Sequence, residues 1–245
     1  MPQLSLSLIP GLIGTLAKAG GLALAFRLPL KRWLVVKLWL LLMLLEDIAL
    51  YGVLWLGFNP KTSILYAQVY YWSDLIVVFF GLLVLLRLAE TVLAKTRISL
   101  PMVRGTAVAI LAGIAIVSFA AVFSRLGPAA FSLRHLIAFA NEAEQNLAAA
   151  GMLGSFVLWG AIGAMHVPGL RIRRIAAGCG IFYSASACAW SLVAVFGYIL
   201  SWAVPLLSTA SIVLLAYAMA EREEGQPPRP RRADLPLALP QQGAA

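Results

Sequence analysis

Lys18, Glu46, Asp47 and Asp74 are ionisable side chains set inside long apolar runs of the sequence. A charge near the centre of a lipid bilayer costs about 3 kcal/mol or more, so such residues pair with one another or belong to a proton or ion site. Asp74 closes the aromatic stretch Tyr70-Tyr71-Trp72-Ser73, and Glu46 and Asp47 are adjacent. Carboxylates gathered beside phenols can hold a proton, bind a cation or recognise a small cationic ligand.

Depth along helices brings these residues together. At about 1.5 Å per residue, Lys18 lies roughly 12 Å from Phe26 and Glu46 roughly 18 Å from Leu34, within reach of a lysine stem. A structural ion pair, Lys18 with Glu46 or with Asp47, is one expectation. Neighbouring residues on a helix point about 100° apart, so one of the two acids stays outside that pair. Asp74 falls roughly 12 Å from Tyr66, near the level of the acidic pair. Tyr51, Tyr70 and Tyr71 offer phenolic hydrogens nearby. Two readings stay open: a buried structural acid bonded to tyrosine or backbone, and a proton or cation site made by Glu46 or Asp47 with Asp74. Glu142 and Glu144 allow a solvated helix end, or a ligand-binding mouth shared with Tyr66, Gln68 and Tyr70.

Other chemistries are excluded by what the chain lacks. His135 and His166 fall at opposite ends of their apolar segments, so no histidine pair can ligate haem or metal between them. The last apolar segment has no lysine for a retinal Schiff base. Phosphate-binding Gly-x-x-x-x-Gly-Lys, His-Glu-x-x-His and Gly-x-Ser-x-Gly motifs are all missing, so neither enzyme activity nor a cofactor is expected. Cys179 and Cys188, nine residues apart, fall on opposite faces of one helix and cannot bridge.

The elements that must position these residues follow from composition. Of 245 residues, 62% are apolar and 12% charged, and the mean hydropathy is +0.90. That excludes an ordinary soluble protein and predicts an all-α, polytopic membrane protein whose medium is the lipid bilayer. Seven apolar spans are expected, at about 4–26, 34–57, 66–88, 103–123, 132–165, 175–200 and 203–220. The turn Asn59-Pro60-Lys61 closes the second and Gly127-Pro128 follows the fourth. The fourth span has only Thr106 and Ser118 as polar residues and reads as a packing or lipid-facing helix. Small residues crowd the sixth from Ala176 to Ala189, which predicts close packing against Ala148–Ser155 of the fifth. Trp33, Trp55 and Trp202 read as interfacial anchors, and Arg87 with Glu90 as an intrahelical pair.

The basic residues set an orientation. Arg27, Lys31, Arg32 and Lys37, then Arg87, Lys95, Arg97 and Arg104, then Arg171, Arg173 and Arg174, and last Arg222, Arg229, Arg231 and Arg232 all fall on one side. These are fifteen of the nineteen lysines and arginines. The asymmetry predicts the N-terminus outside and the C-terminus in the cytoplasm. The net charge of +9 is thereby read as a topology signal, and no nucleic-acid partner is expected. Residues 221–245, basic and proline-rich without apolar periodicity, are expected to form a disordered cytoplasmic tail.

The Tyr71-Trp72-Ser73-Asp74 stretch, the polar turn Asn141–Asn146 before a glycine-rich apolar run, and Gly178-Cys179-Gly180-Ile181-Phe182 after an arginine-containing loop together resemble a group of seven-helix integral membrane proteins of acidobacterial genomes. The similarity spans about Tyr66 to Glu221. Asp74 departs from it, standing where the group's pattern has glutamate. The resemblance implies a seven-helix layout in a bacterial inner (cytoplasmic) membrane, and it implies no activity.

Two functions fit these features. One is a sensor or interaction module whose polar extracytoplasmic rim binds a small ligand or cation, and whose inner loops and tail meet a cytoplasmic protein. The other is a proton, cation or small-solute carrier using Glu46, Asp47 and Asp74. No inverted repeat is visible, since the sixth span carries no charge to match Glu46 and Asp47 of the second.

Overall fold

The computed structural model describes residues 2–27, 30–58, 63–94, 99–127, 132–165, 170–196 and 203–220. These form seven α-helices and no strand: α1 (Pro2–Phe26), α2 (Leu30–Trp55), α3 (Ile64–Leu93), α4 (Leu100–Leu126), α5 (Leu133–Ala164), α6 (Leu170–Phe196) and α7 (Ala203–Ala220). The all-helical expectation holds. Three helices, α3, α4 and α5, are long and apolar enough to cross a membrane, and α1 and α7 contain the shorter apolar stretches Gly11–Phe26 and Leu207–Ala220. The expected tail, the turn at 59–61, His166 and Trp202 lie outside the described residues.

Local chemistry sets the helix ends. Ser63 caps α3 by accepting the Tyr66 N–H at 3.2 Å. Pro101 stands in the first turn of α4, where its missing N–H leaves no helical bond unmade. Gly57 and Gly127 follow α2 and α4 with φ of 84° and 75°, a backbone region that a Cβ makes costly. At the start of α5 the Ser132 N–H donates to His135 Nδ1 at 3.3 Å, with Ser132 Oγ 2.8 Å from the same nitrogen. The ring proton is then on Nε2, 3.4 Å from the Gly127 carbonyl, so His135 ties the entry of α5 to the exit of α4.

Helices α1, α2, α3, α5, α6 and α7 pack in that cyclic order, and α7 closes the ring on α1. Helix α4 stands outside, against α5 and more lightly against α3. Its buried residues are only Ser118 and Val122, while Val108, Ile116 and Val117 are 60–69% exposed. So wide an apolar face suits a lipid solvent and would drive aggregation in water. A polar bond helps fasten α4: Asn146 Nδ2 donates to the buried Ser118 Oγ at 3.0 Å.

The centre of the ring is built on Tyr183 of α6, which is fully buried. Its ring lies against Gly151 of α5 and its hydroxyl against Gly81 of α3, and that hydroxyl donates to the Val78 carbonyl at 2.7 Å. Trp39 of α2 fills the other side of Gly81 and meets Phe182 edge-on at 5.3 Å. Glycines let the helices close around these aromatics, as small residues do wherever helices pack without a hydrophobic drive from water. The small residues of α6 do face α5: a Cβ on Gly180 would lie 3.6 Å from that of Ser155. Farther along, Ser211 Oγ of α7 donates to the Gly178 carbonyl at 2.7 Å.

Candidate functional site

The site gathers at the end of the ring where α3 and α5 begin. Helix α1 brings Thr15 and Lys18, three residues apart and so on one face. Lys18 Nζ lies 2.7 Å from Asp47 Oδ1, and Thr15 Oγ1 donates to Asp47 Oδ2 at 2.8 Å. Of the two pairings left open, Lys18 takes Asp47, and the Lys18–Glu46 ion pair is not formed. The cause is rotation: α2 turns Asp47 toward α1 and thereby Glu46, about 100° away, toward α3. There the Ser73 hydroxyl is shared between the Tyr70 carbonyl at 3.0 Å and Glu46 Oε1 at 3.3 Å.

Asp74 follows on α3 and lies within electrostatic reach of both Glu46 and Lys18. None of Tyr51, Tyr70 and Tyr71 hydrogen-bonds Asp74 among the described residues, so the expected phenol-to-acid bond is not made. Tyr51 instead sets its hydroxyl against Gly11. Tyr66 and Tyr70 stack at 6.3 Å between ring centres, and Tyr71 meets Tyr70 edge-on at 5.1 Å. Asp74, Glu144 and Glu46 lie within electrostatic reach of Tyr70, and Glu144 and Asp74 within reach of Tyr71.

Glu144 is the residue whose place differs most from a rim. It is 3% exposed, buried between α5 and its neighbours. Glu142, two residues earlier and therefore about 200° around the helix, points away and pairs with Arg125 of α4 at 3.0 Å. The two acids, read from sequence as either a solvated helix end or one mouth, are thus separated: Glu144 is buried within reach of Tyr70 and Tyr71, whereas Glu142 fastens α4. A heptad offset explains the meeting. Asp74 stands seven residues before Gly81, and Glu144 seven before Gly151, which is about two turns on the same face. Since both glycines touch Tyr183 and both acids act on Tyr71, α3 and α5 run in the same direction, acids facing at one level and glycines at another.

Two further expectations meet the structure differently. Trp33 is 7% exposed and lies under the Arg171 guanidinium at 5.9 Å from its ring centre, so it belongs to the packed interior and is no interfacial anchor; Trp55, at 89% exposed, keeps an anchor's position. Arg87 and Glu90 do pair at 2.9 Å, and Arg104 of α4 adds a second contact to Glu90 at 2.7 Å, which spacing within one helix could not reveal. Thr15 and Ser73, the hydroxyls that hold Asp47 and Glu46, also escaped sequence reasoning. Their only signals were that Thr15 stands one helical turn from Lys18 and that Ser73 stands beside Asp74.

No protein-family model, curated protein or solved structure matches the chain. Chemistry must therefore be read from the site itself. Among the described residues, the carboxylates of Glu46, Asp47 and Asp74 lie within electrostatic reach of Lys18, and Glu144 lies within reach of Tyr70 and Tyr71. Among the described residues no three His, Cys, Asp or Glu side chains stand close enough to hold one metal ion. What the arrangement offers is separated acids beside three tyrosine rings. That set suits an organic ammonium, attracted by carboxylates and by aromatic faces at once.

Proposed function

We propose that the chain is a multi-pass membrane protein of seven spans, N-terminus outside and C-terminus in the cytoplasm, whose extracytoplasmic half binds a small organic amine. The three long apolar helices and the wide apolar faces of the ring support the membrane placement, and the distribution of lysine and arginine supports the orientation. Binding is supported above all by Glu144, a buried acid that, like Asp74 and Glu46, lies within electrostatic reach of Tyr70. In this reading Asp74 and Glu144 take the ammonium, Tyr70 and Tyr71 supply aromatic faces, and Lys18–Asp47 braces α1 against α2. The protein then acts as a receptor-like module, passing occupancy through α3, α5 and α6 to a cytoplasmic partner. A panel of amines scored by the change in tryptophan fluorescence, with Trp72 beside the site, tests it. Saturable responses to amines but not to sodium or potassium are expected, and no response from folded protein would refute the reading.

A second reading, a carrier for protons or amines, is favoured by one observation: Glu46 and Asp74 lie within electrostatic reach of one another inside the helical ring, and neither forms an ion pair with Lys18. Liposomes holding the protein separate the two. Amine uptake that Asp74→Asn abolishes makes it a carrier, and amine binding without uptake leaves the receptor-like module.

A further inference from the structure

The opposite end of the bundle holds a feature unrelated to the acid cluster. Because α4 packs on α5 and only lightly on α3, a groove of about 410 Å³ remains among the three helices. Leu85 and Ala89 of α3, Met102 and Ile110 of α4 and Gly154 of α5 line it, with Thr106 as a polar residue on its wall. Nothing lies within 4 Å of where a Cβ on Gly154 would stand, so the groove is open there. Its lining reaches Ala89 on one side and Val103 on the other, and the next residues in the chain are Glu90 and Arg104.

Those next residues carry charge. The Glu90 carboxylate is held by Arg87 at 2.9 Å and by Arg104 at 2.7 Å, two guanidiniums for one acid. Both arginines keep more than half of their side chains exposed, at 63% and 57%. The chain between α3 and α4 adds Lys95 and Arg97 in sequence. An apolar slot ending in surplus positive charge at the level of the inner headgroups matches an anionic glycerophospholipid.

We infer that the α3–α4–α5 groove binds one anionic phospholipid of the inner leaflet, an acyl chain lying along Gly154 and Ile110 and the phosphate on Arg87 and Arg104. This rests on the membrane placement and orientation proposed above, but not on amine binding, which can fail without it.

Native mass spectrometry of the purified protein tests it, with phosphatidylglycerol, phosphatidylcholine of the same chains, and inorganic phosphate as probes. Phosphatidylglycerol is expected to be retained at least roughly fivefold better than phosphatidylcholine, the effect of about one arginine at the surface. Arg104→Gln should remove most of that preference. Gly154→Leu, which fills the groove without touching the ion pairs, should reduce retention of both lipids, with the melting temperature showing that the bundle still folds. Equal retention of the two lipids would overturn the inference. So would unchanged lipid binding in Gly154→Leu, or phosphate binding as well as the lipid does. A dimer that Gly154→Leu dissociates would assign the groove to a second copy of the chain and overturn it equally.

Discussion

Replacing Gly151 by alanine sets a methyl group against the ring of Tyr183, and the consequence can be worked from the contacts. The added Cβ would stand 2.6 Å from Tyr183 Cγ and 2.5 Å from Cε1, well inside van der Waals distance. Tyr183 cannot swing aside cheaply, because its hydroxyl is bonded to the Val78 carbonyl and Gly81 is closed by Trp39. Overpacking of this kind costs about 1–3 kcal/mol. Tyr183→Ala removes the ring and leaves a cavity, at about 3–5 kcal/mol by analogy with other large-to-alanine changes. In the double variant the methyl enters the space the ring vacated, so the two costs should not add. The combined loss should fall short of the sum by at least about 1 kcal/mol, beyond the scatter of independent sites. Equilibrium unfolding in mixed detergent and dodecyl sulfate micelles reads all four proteins of the cycle. Additive losses would mean that Tyr183 does not seat against Gly151, and the packing of α6 against α5 and α3 would have to be redrawn.

Other substitutions probe the remaining joints. Lys18→Met strands Asp47 with Thr15 alone and should destabilise by about 3 kcal/mol, while Lys18→Met with Asp47→Leu should recover most of that in the same unfolding assay. Glu142→Gln should cost no more than about 1 kcal/mol, as for an exposed ion pair, and should leave amine affinity unchanged, whereas Glu144→Gln should abolish amine binding. Asn146→Leu removes the hydrogen bond to Ser118 and should cost about 0.6 kcal/mol, the mean for interhelical bonds in a membrane bundle. Ser132→Ala should lose about 1 kcal/mol through the entry of α5, measured as a lower unfolding midpoint.

The helical architecture was legible because apolar runs bounded by glycine, proline and basic residues leave few alternatives; α7 begins and ends at the residues expected of it, and α3 extends the run expected at 66–88 to Ile64–Leu93. Depth was legible too, since helical rise alone placed Lys18 near the Glu46–Asp47 pair. Rotation was not. Whether α2 shows Glu46 or Asp47 to α1 depends on packing around Trp39 and Met43, which no spacing in α2 encodes. The same ignorance let Glu142 and Glu144 be read as one unit, a solvated helix end or a shared mouth, although about 200° of helix separates them. The heptad offsets Asp74–Gly81 and Glu144–Gly151 were present in the sequence, but they gain meaning only once Tyr183 shows which glycines face each other. Trp33 misled because a tryptophan at the end of an apolar run has the composition of an anchor, and only the Arg171 contact shows it turned inward.

Isothermal titration of putrescine into the purified protein and its Asp74→Asn variant tests the acid site most directly. Saturable binding by the native protein is predicted, weakened thirtyfold or more in the variant, which corresponds to the loss of at least about 2 kcal/mol for one partner of a desolvated charge pair. No saturable heat from folded native protein, or equal affinity in both, would contradict the proposal that Asp74 and its neighbours bind an amine.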